Sequence, residues 1–299
     1  MATLRDIRDR IGAVKNTRKI TRAMKLVAGA KLARAVQAAT AAKPYQETLT
    51  RVLGRVVEAS GDIEHPMLAQ PDNETDVIII AMSSDRGLCG NFSSLVSRST
   101  QTHIDELTAQ GKTVRVITYG KKVRDAMKRS ANSELLDSQV DLAPDDYPAA
   151  AAALADRLVR DLGADAFSQC FLSWNAYKSV MVQEPRFEQI LPMKVEADAP
   201  SDAADAADSA DLGASTEYLY EPSGQEILGR LLPMTLRGRI LLAFLDTQAG
   251  EQAKRMTAMD AATRNASELI DTLTLDYNRA RQAAITKELI EIVSGAEAL

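Results

Sequence analysis

The chain has 299 residues, 45% of them hydrophobic, which is enough to bury a sizeable core and excludes disorder throughout. Aromatic residues make up only 4% while Ala, Leu, Arg and Met abound, and these side chains lose little freedom in a helix, so a helix-rich protein is expected. The net charge of -5 hides an asymmetry: residues 1–43 carry eleven Lys or Arg against two acids, Asp6 and Asp9, whereas residues 196–221 hold eight acids and no base, so the two stretches are expected to meet different partners.

The most apolar runs, residues 77–82, 149–155 and 240–245, fall far short of the roughly 20 residues that span a bilayer. The amino terminus lacks the apolar segment of a secretory signal, and its early acids argue against a transit peptide, so the protein is expected to stay in the compartment where it is made. Cys89 and Cys170 lie far apart and outside any C-x-x-C pair, which points neither to a disulfide framework nor to zinc. His65 and His103 are equally isolated and read as surface or loop residues.

In chain order, Thr3 with Asp6 makes a capping-box-like helix start, followed by Leu4, Ile7, Ile11 and Val14 on one face. The same register would next place Arg18, Thr21 and Lys25 on the seam, but apolar residues resume at Ile20, Met24 and Val27, then Leu32, Val36 and Ala39. A seam that drifts around the helix is therefore expected. The pattern runs to about Val57, broken or bent at Lys43-Pro44. From there the period changes: residues 77–82, 113–119 and 166–174 read as strands, with helices near 92–110, 121–130 and 147–162 between them. This alternation predicts a mostly parallel sheet with crossover helices, and residues 181–190, interrupted by Pro185, read as an edge strand. In residues 195–216, Asp198, Asp202, Asp205, Asp208 and Asp211 recur among small residues, as in a flexible surface loop. Helical character resumes near Gln225, with Pro233 near its start or at a kink. Met256, Met259, Thr263, Ala266, Ile270, Leu273, Tyr277, Ala280, Ala284 and Lys287 then keep an unbroken three-four alternation, and Ile285, Leu289 and Ile292 carry a neighbouring face to a helix stop at Ser294-Gly295.

Two terminal helices too long for ordinary globular ones bury their stripes most simply against each other, antiparallel, with the middle of the chain as a separate unit. The expected class is α/β: a long antiparallel coiled coil of the N- and C-terminal helices plus a Rossmann-like α/β domain. The expected divisions are 1–57, the first coiled-coil helix; 75–194, the α/β domain; 195–216, the acidic loop; and 217–299, the segment with the second long helix.

The segment richest in enzyme-like features is Ser83-Ser84-Asp85-Arg86-Gly87-Leu88-Cys89-Gly90-Asn91, a strand-to-helix turn with two glycines that could present backbone N–H groups to phosphate. It lacks the Lys-Ser/Thr pair of a P-loop and the G-x-G-x-x-G spacing. The better account is a tight turn in which Asn91 or Asp85 caps the helix. With two isolated histidines and carboxylates scattered over helices, no catalytic, metal or cofactor residue is assigned. The basic stretch 15–31 has no interleaved aromatics, so nucleic acid is not an expected partner. A phosphate- or nucleotide-binding α/β enzyme and a coiled-coil tether remain the alternative readings.

Two long motifs at opposite ends, Arg18-Lys-Ile-Thr-Arg-Ala-Met-Lys-Leu-Val-Ala28 and Tyr277-Asn-Arg-Ala-Arg-Gln-Ala-Ala-Ile-Thr-Lys-Glu-Leu-Ile-Glu-Ile-Val-Ser-Gly295, resemble the gamma subunits of bacterial-type F-type ATP synthases. The turn from Ser84 to Asn91 and Tyr218-Leu-Tyr-Glu-Pro222 resemble further segments of that family. The resemblance implies a non-catalytic rotor without a cofactor, peripheral to the cytoplasmic face of the bacterial plasma membrane. It would couple rotation of a membrane c ring, driven by proton flow, to ATP synthesis or hydrolysis in a ring of alpha and beta subunits, with epsilon beside it. It places Met24, Lys25, Arg255, Arg281, Gln282, Thr286 and Glu288 against the alpha/beta ring, and Tyr218, Tyr220 and Glu221 against epsilon or the c ring. A small inhibitor protein is left open as a further partner. The acidic 195–216 stretch is not a general feature of that family, and the cysteine-containing regulatory insertion of chloroplast relatives is missing.

Overall fold

Thr3 and Asp6 close the reciprocal start that their spacing predicts: the Thr3 N–H donates to Asp6 Oδ2 at 2.9 Å, and the Asp6 N–H donates to Thr3 Oγ1 at 3.2 Å. The computed structural model describes residues 3–60, 65–69, 75–194 and 223–297; the acidic 195–216 stretch lies outside these. Helix α1, Leu4–Ser60, runs 57 residues without a break across Pro44, about 85 Å at about 1.5 Å per residue. The second long helix, Gly224–Glu297, has 74 residues. Its first turn is capped by Ser223, whose hydroxyl accepts the Glu226 N–H at 3.3 Å. It continues past Pro233, and Ser294-Gly295 is not its stop, because a glycine within a helix costs only about 1 kcal/mol relative to alanine.

The two helices pack antiparallel, since Thr21 meets Thr263, Lys25 meets Asp260 and Gln46 meets Thr235. The inward positions of α1 are Leu4, Ile7, Ile11, Val14, Arg18, Thr21, Lys25, Ala28, Leu32, Ala35, Ala39, Ala42, Gln46, Leu49, Leu53 and Val56, all buried or half-buried. They keep one alternation of three and four throughout, so the expected drift of the seam does not occur. Of the residues that argued for it, Ile20 and Val27 are 60% and 56% exposed and Met24 is half-buried, whereas Thr21 and Ala28 are 8% and 1% exposed. The reason is satisfaction across the pair. Lys25 and Thr21 find a carboxylate and a hydroxyl on the facing helix, so polar residues can occupy the seam without being left unpaired. The seam of the C-terminal helix agrees with its sequence pattern from Met256 to Ala284; Lys287, at its end, is exposed.

Between the long helices the chain forms β1 (Asp76–Met82), α2 (Phe92–Ala109), β2 (Thr113–Tyr119), α3 (Lys121–Met127), β3 (Glu134–Gln139), a 3-10 turn at Pro144–Asp146, α4 (Tyr147–Gly163), β4 (Gln169–Tyr177) and β5 (Gln183–Leu191); the long C-terminal helix is α5. The five strands lie in the order β3-β2-β1-β4-β5, with β5 antiparallel to β4 and the other pairs parallel. Strand β5 is the expected edge strand and carries Pro185. Strand β3 was not foreseen: its sequence, Glu-Leu-Leu-Asp-Ser-Gln, is polar and half exposed, as suits the opposite edge.

Strand β1 explains its own apolar run, because it is covered on both faces. Val77, Ile79 and Ala81 pack with Ile104 of α2 and Val123 and Met127 of α3. Ile78, Ile80 and Met82 join a second core with Leu154 and Leu158 of α4, Leu228, Leu232, Leu236 and Ile240 of α5, and Leu53 and Val56 of α1. The base of the helix pair is thus one of the two helical layers of the α/β fold.

The seam register predicts opposite effects for neighbouring residues. Ala28→Leu is expected to lower stability by about 1–3 kcal/mol through overpacking, while Ile20→Ala stays within about 0.5 kcal/mol of the parent. Urea unfolding of the full chain measures both; a larger loss at Ile20 would support the drifting seam instead.

Candidate functional site

In a sheet of this order the chain reverses direction between β1 and β4, and the crevice beyond the carboxyl ends of those strands is where a doubly wound fold binds ligands. Here α5 fills it. Gly250 lies so close to Phe92 that an added Cβ would come within 2.8 Å of the ring, and Phe92 itself is fully buried. The Asn175 side chain donates to the Phe92 carbonyl at 2.9 Å, which holds the start of α2 against β4. Arg255 of α5 pairs with Glu251 one turn earlier and donates to the Gly87 carbonyl at 3.4 Å.

The 83–91 turn is occupied by its own contacts. The Ser84 and Ser93 hydroxyls are 2.5 Å apart, and the Cys89 thiol lies 3.6 Å from both the Ser84 hydroxyl and the Arg86 carbonyl. Asn91 makes no side-chain cap for α2. Asp85 does cap a helix, but a different one: it accepts the Lys121 N–H at 2.8 Å, at the start of α3. Gly120, at φ 103°, is packed so closely that a Cβ would stand 2.2 Å from the Ser83 carbonyl oxygen. The turn therefore docks onto the loop after β2.

The titratable groups nearby are shifted by burial and by close charges. Burial pushes the Cys170 thiol well up, so it stays protonated and a poor nucleophile. Burial also raises the Glu251 carboxyl, with Arg255 opposing that shift. Tyr119 is pushed up to about 12 by burial and by the charge of Asp137. His103 stacks on Phe187 at 3.9 Å and meets Glu106 at 3.0 Å, and His65 Nδ1 accepts the Met67 N–H at 3.2 Å. Among the described residues no group of three His, Cys, Asp or Glu could hold a metal ion. A recess of about 260 Å³ between α1, α4 and α5 is walled by Ala42, Tyr45, Pro148, Ala152 and Met234, and its one charged lining residue, Arg237, is paired with Asp156 at 2.6 Å.

The residues expected to meet a surrounding ring are spread along the shaft. Met24 is half-buried at the edge of the seam, and Lys25 is paired with Asp260 at 2.5 Å. Arg255 lies inward, against the 83–91 turn. Arg281, Gln282, Thr286 and Glu288 share the exposed end of α5, where the Thr286 hydroxyl donates to the Gln282 carbonyl at 2.9 Å. Carried on, the helix register brings Leu4 opposite the neighbourhood of Ala280, so this end runs beyond the start of α1. Ile285, Leu289, Ile290 and Ile292 are exposed on it. Tyr218, Tyr220 and Glu221 lie outside the described residues. Sequence reading did not find Asp260 or Glu251, the partners of Lys25 and Arg255. Glu251 stands one helical turn before Arg255, a spacing that could have revealed it; Asp260 needed the register of the two helices.

Two outcomes follow. Asp246 of α5 is buried, and burial pushes its carboxyl above the ordinary 3.8, only partly offset by Lys43. Its contribution to stability is present at pH values below the ordinary one and is lost as pH rises through the raised folded value. Asp246→Asn is therefore expected to be more stable than the parent at pH 7, with the advantage shrinking toward pH 4 in urea unfolding. The filled crevice predicts no heat of binding when ATP or ADP is titrated into the chain at about millimolar concentration; a saturable signal would restore the nucleotide-enzyme reading.

Comparison with known proteins agrees with this architecture. The ATP synthase family model matches residues 3–299. The chain is 43% identical over 302 residues to the ATP synthase gamma chain of Hyphomonas neptunium, and 43% identical over 307 residues to that of Paracoccus denitrificans, with 100% of each chain covered in both cases. Among solved structures, a chain of the Euglena gracilis mitochondrial ATP synthase, in its OSCP/F1/c-ring assembly in rotational state 3, shares the fold. The TM-score is 0.62 at 17% identity, covering 99% of this chain and 94% of that one. A sheet plugged by its own C-terminal helix, on a shaft of two antiparallel helices, is the form in which this chain belongs to the ATP synthase gamma-chain family.

Proposed function

We propose that the chain is the non-catalytic central shaft of an ATP synthase, turning inside a ring of alpha and beta subunits that holds the nucleotide sites. The observation that carries this reading is the end of α5, which among the described residues extends past α1 with Ile285, Leu289 and Ile292 exposed. An uncovered apolar end on an otherwise paired shaft calls for a surrounding apolar wall. Such a contact suits rotation, because hydrophobic attraction is non-directional and does not tie the helix to one angle.

The sides of the shaft supply asymmetry. Ile20, Leu26 and Val27 stand exposed on the α1 flank, among the cations Arg22 and Lys19, while the opposite flank of the pair is α5. A rotor that presents different faces stabilises different conformations of the subunits around it, which a symmetric rod could not do. Met24 and Lys25 would approach an acidic element of beta, for which the basic neck is electrostatically suited. Arg281, Gln282, Thr286 and Glu288 would meet the loops of the ring. Arg255 would act mainly by holding the 83–91 turn in place. Tyr218, Tyr220 and Glu221 would face epsilon or the c ring. No helix among the described residues is long and apolar enough to cross a membrane, so the assignment at the cytoplasmic face rests on association with the c ring.

Reconstitution with alpha and beta subunits tests the reading: ATP hydrolysis should drive rotation of a probe fixed to the shaft, and a complex that couples normally without this chain would rule it out. Within that assembly, Gln282→Ala and Thr286→Ala are each expected to lower turnover about fivefold, the scale of a contact worth about 1 kcal/mol. Unchanged turnover in both variants would remove the contact assignments while leaving the shaft reading intact.

A further inference from the structure

The seam between α1 and α5 contains a polar layer at a height where a more apolar alternative was at hand. The Lys25 ammonium meets Asp260 Oδ1 at 2.5 Å. About one turn earlier on α1, the Thr263 hydroxyl donates to Thr21 Oγ1 at 2.8 Å, and the Thr21 hydroxyl donates to the Arg18 carbonyl at 3.1 Å. Ile20, Met24 and Val27 form a second stripe, one residue before the occupied positions and so turned from them by about 100°. At this height alone, burial of apolar surface would favour that stripe over Thr21 and Lys25, while Leu32 and Ala35 hold the register nearer the sheet. The facing side of α5 carries Met256 and Met259, adaptable side chains that fill gaps of varied shape.

We propose that Thr21, Lys25, Asp260 and Thr263 form a register pin that selects, over residues 20–28, one local rotational setting of α1 against α5 over the neighbouring setting in which Ile20, Met24 and Val27 face inward. Turning α1 to bury the apolar stripe carries the Lys25 ammonium away from Asp260 and parts the Thr21 and Thr263 hydroxyls, which keep the Arg18 and Met259 carbonyls of their own helices, so the ion pair carries most of the selection. The pin is a selector rather than a large source of stability: the Lys25 and Asp260 side chains remain 41% and 34% exposed, and half-exposed pairs are screened by solvent. A polar pair within an apolar seam fixes register in this way in other helical pairs. Asp260 also has Arg264 on its own helix at 3.7 Å, so loss of Lys25 does not strand a bare carboxylate and the variants below should fold. The device needs no partner subunit, so its success or failure is separate from that of the rotor reading.

Disulfide trapping in the full-length chain tests it. A Cβ at Gly29 would lie 3.4 Å from Met256 Sδ, so Gly29→Cys with Met256→Cys reports the observed setting. Val27→Cys with Met256→Cys reports the alternative; Cys89 and Cys170 are both buried and do not compete. In the parent the first pair should close and the second only slowly. With Lys25→Gln and Asp260→Asn together, closure of the second pair should rise about threefold, the scale of a half-exposed ion pair. The exchange Lys25→Asp with Asp260→Lys should return it toward the parent rate. Salt gives an independent arm with the pin unaltered: at about 1 M, where screening acts over about 3 Å, the second pair should close faster. Rates that ignore both neutralisation and salt, or an exchange that fails to reverse the effect, would overturn the proposal.

Discussion

Everything in this molecule depends on one helix being shared between two cores. The first part of α5 lays Leu228, Leu232, Leu236 and Ile240 onto the sheet, in the same cluster as Ile78, Ile80 and Met82 of β1. Further along, Ala249 and Ala253 of the same helix pack on Leu32 and Ala35 of α1. Burying a leucine is worth about 1.5–3 kcal/mol, so the base of α5 is anchored by large side chains. The small residues above it let the two helix axes approach closely. The shaft is therefore not a rod attached to a globular unit but the continuation of one of that unit's own layers.

That sharing decides what the sheet can do. A doubly wound sheet ordinarily keeps the crevice at its switch point open to a ligand. In this chain the anchor passes through that place, with Gly250 against Phe92 and Arg255 reaching the Gly87 carbonyl. The glycine-bearing turn that would otherwise present N–H groups to a phosphate instead bonds within itself and to the start of α3. The filling of the crevice and the anchoring of the shaft are the same structural event. A helix held at its base by both the sheet and α1 can transmit torque, whereas one tethered by a loop could not.

Polar groups set the details of the shaft in the way apolar ones set its existence. Lys25 with Asp260 and Thr21 with Thr263 show that a seam position need not be hydrophobic if the facing helix supplies its partner. The apolar residues displaced from the seam, Ile20 and Val27, are left outside, where they give the flank of α1 a character different from that of α5.

Much of this was legible in the chain itself. Local pattern determined the two long helices and the seam of α5 through a repeat of 3.5 to 3.6 residues, the buried central strand through an unbroken apolar run, and the edge strand through Pro185; that the edge strand runs antiparallel came from the structure. The family also followed from residues at the two ends. What only the tertiary structure decided was every choice that turns on a distant partner. The α1 seam stays in strict register because Asp260 and Thr263 lie across from it, a fact invisible to hydropathy. Strand β3 exists because β2 offers it a free edge, although Glu134–Gln139 carries no strand signal of its own. Asp85 caps α3 rather than α2 because the fold brings Lys121 to it. Local sequence specifies which elements form; the pairing of polar groups and edges between elements distant in the chain specifies how they face one another.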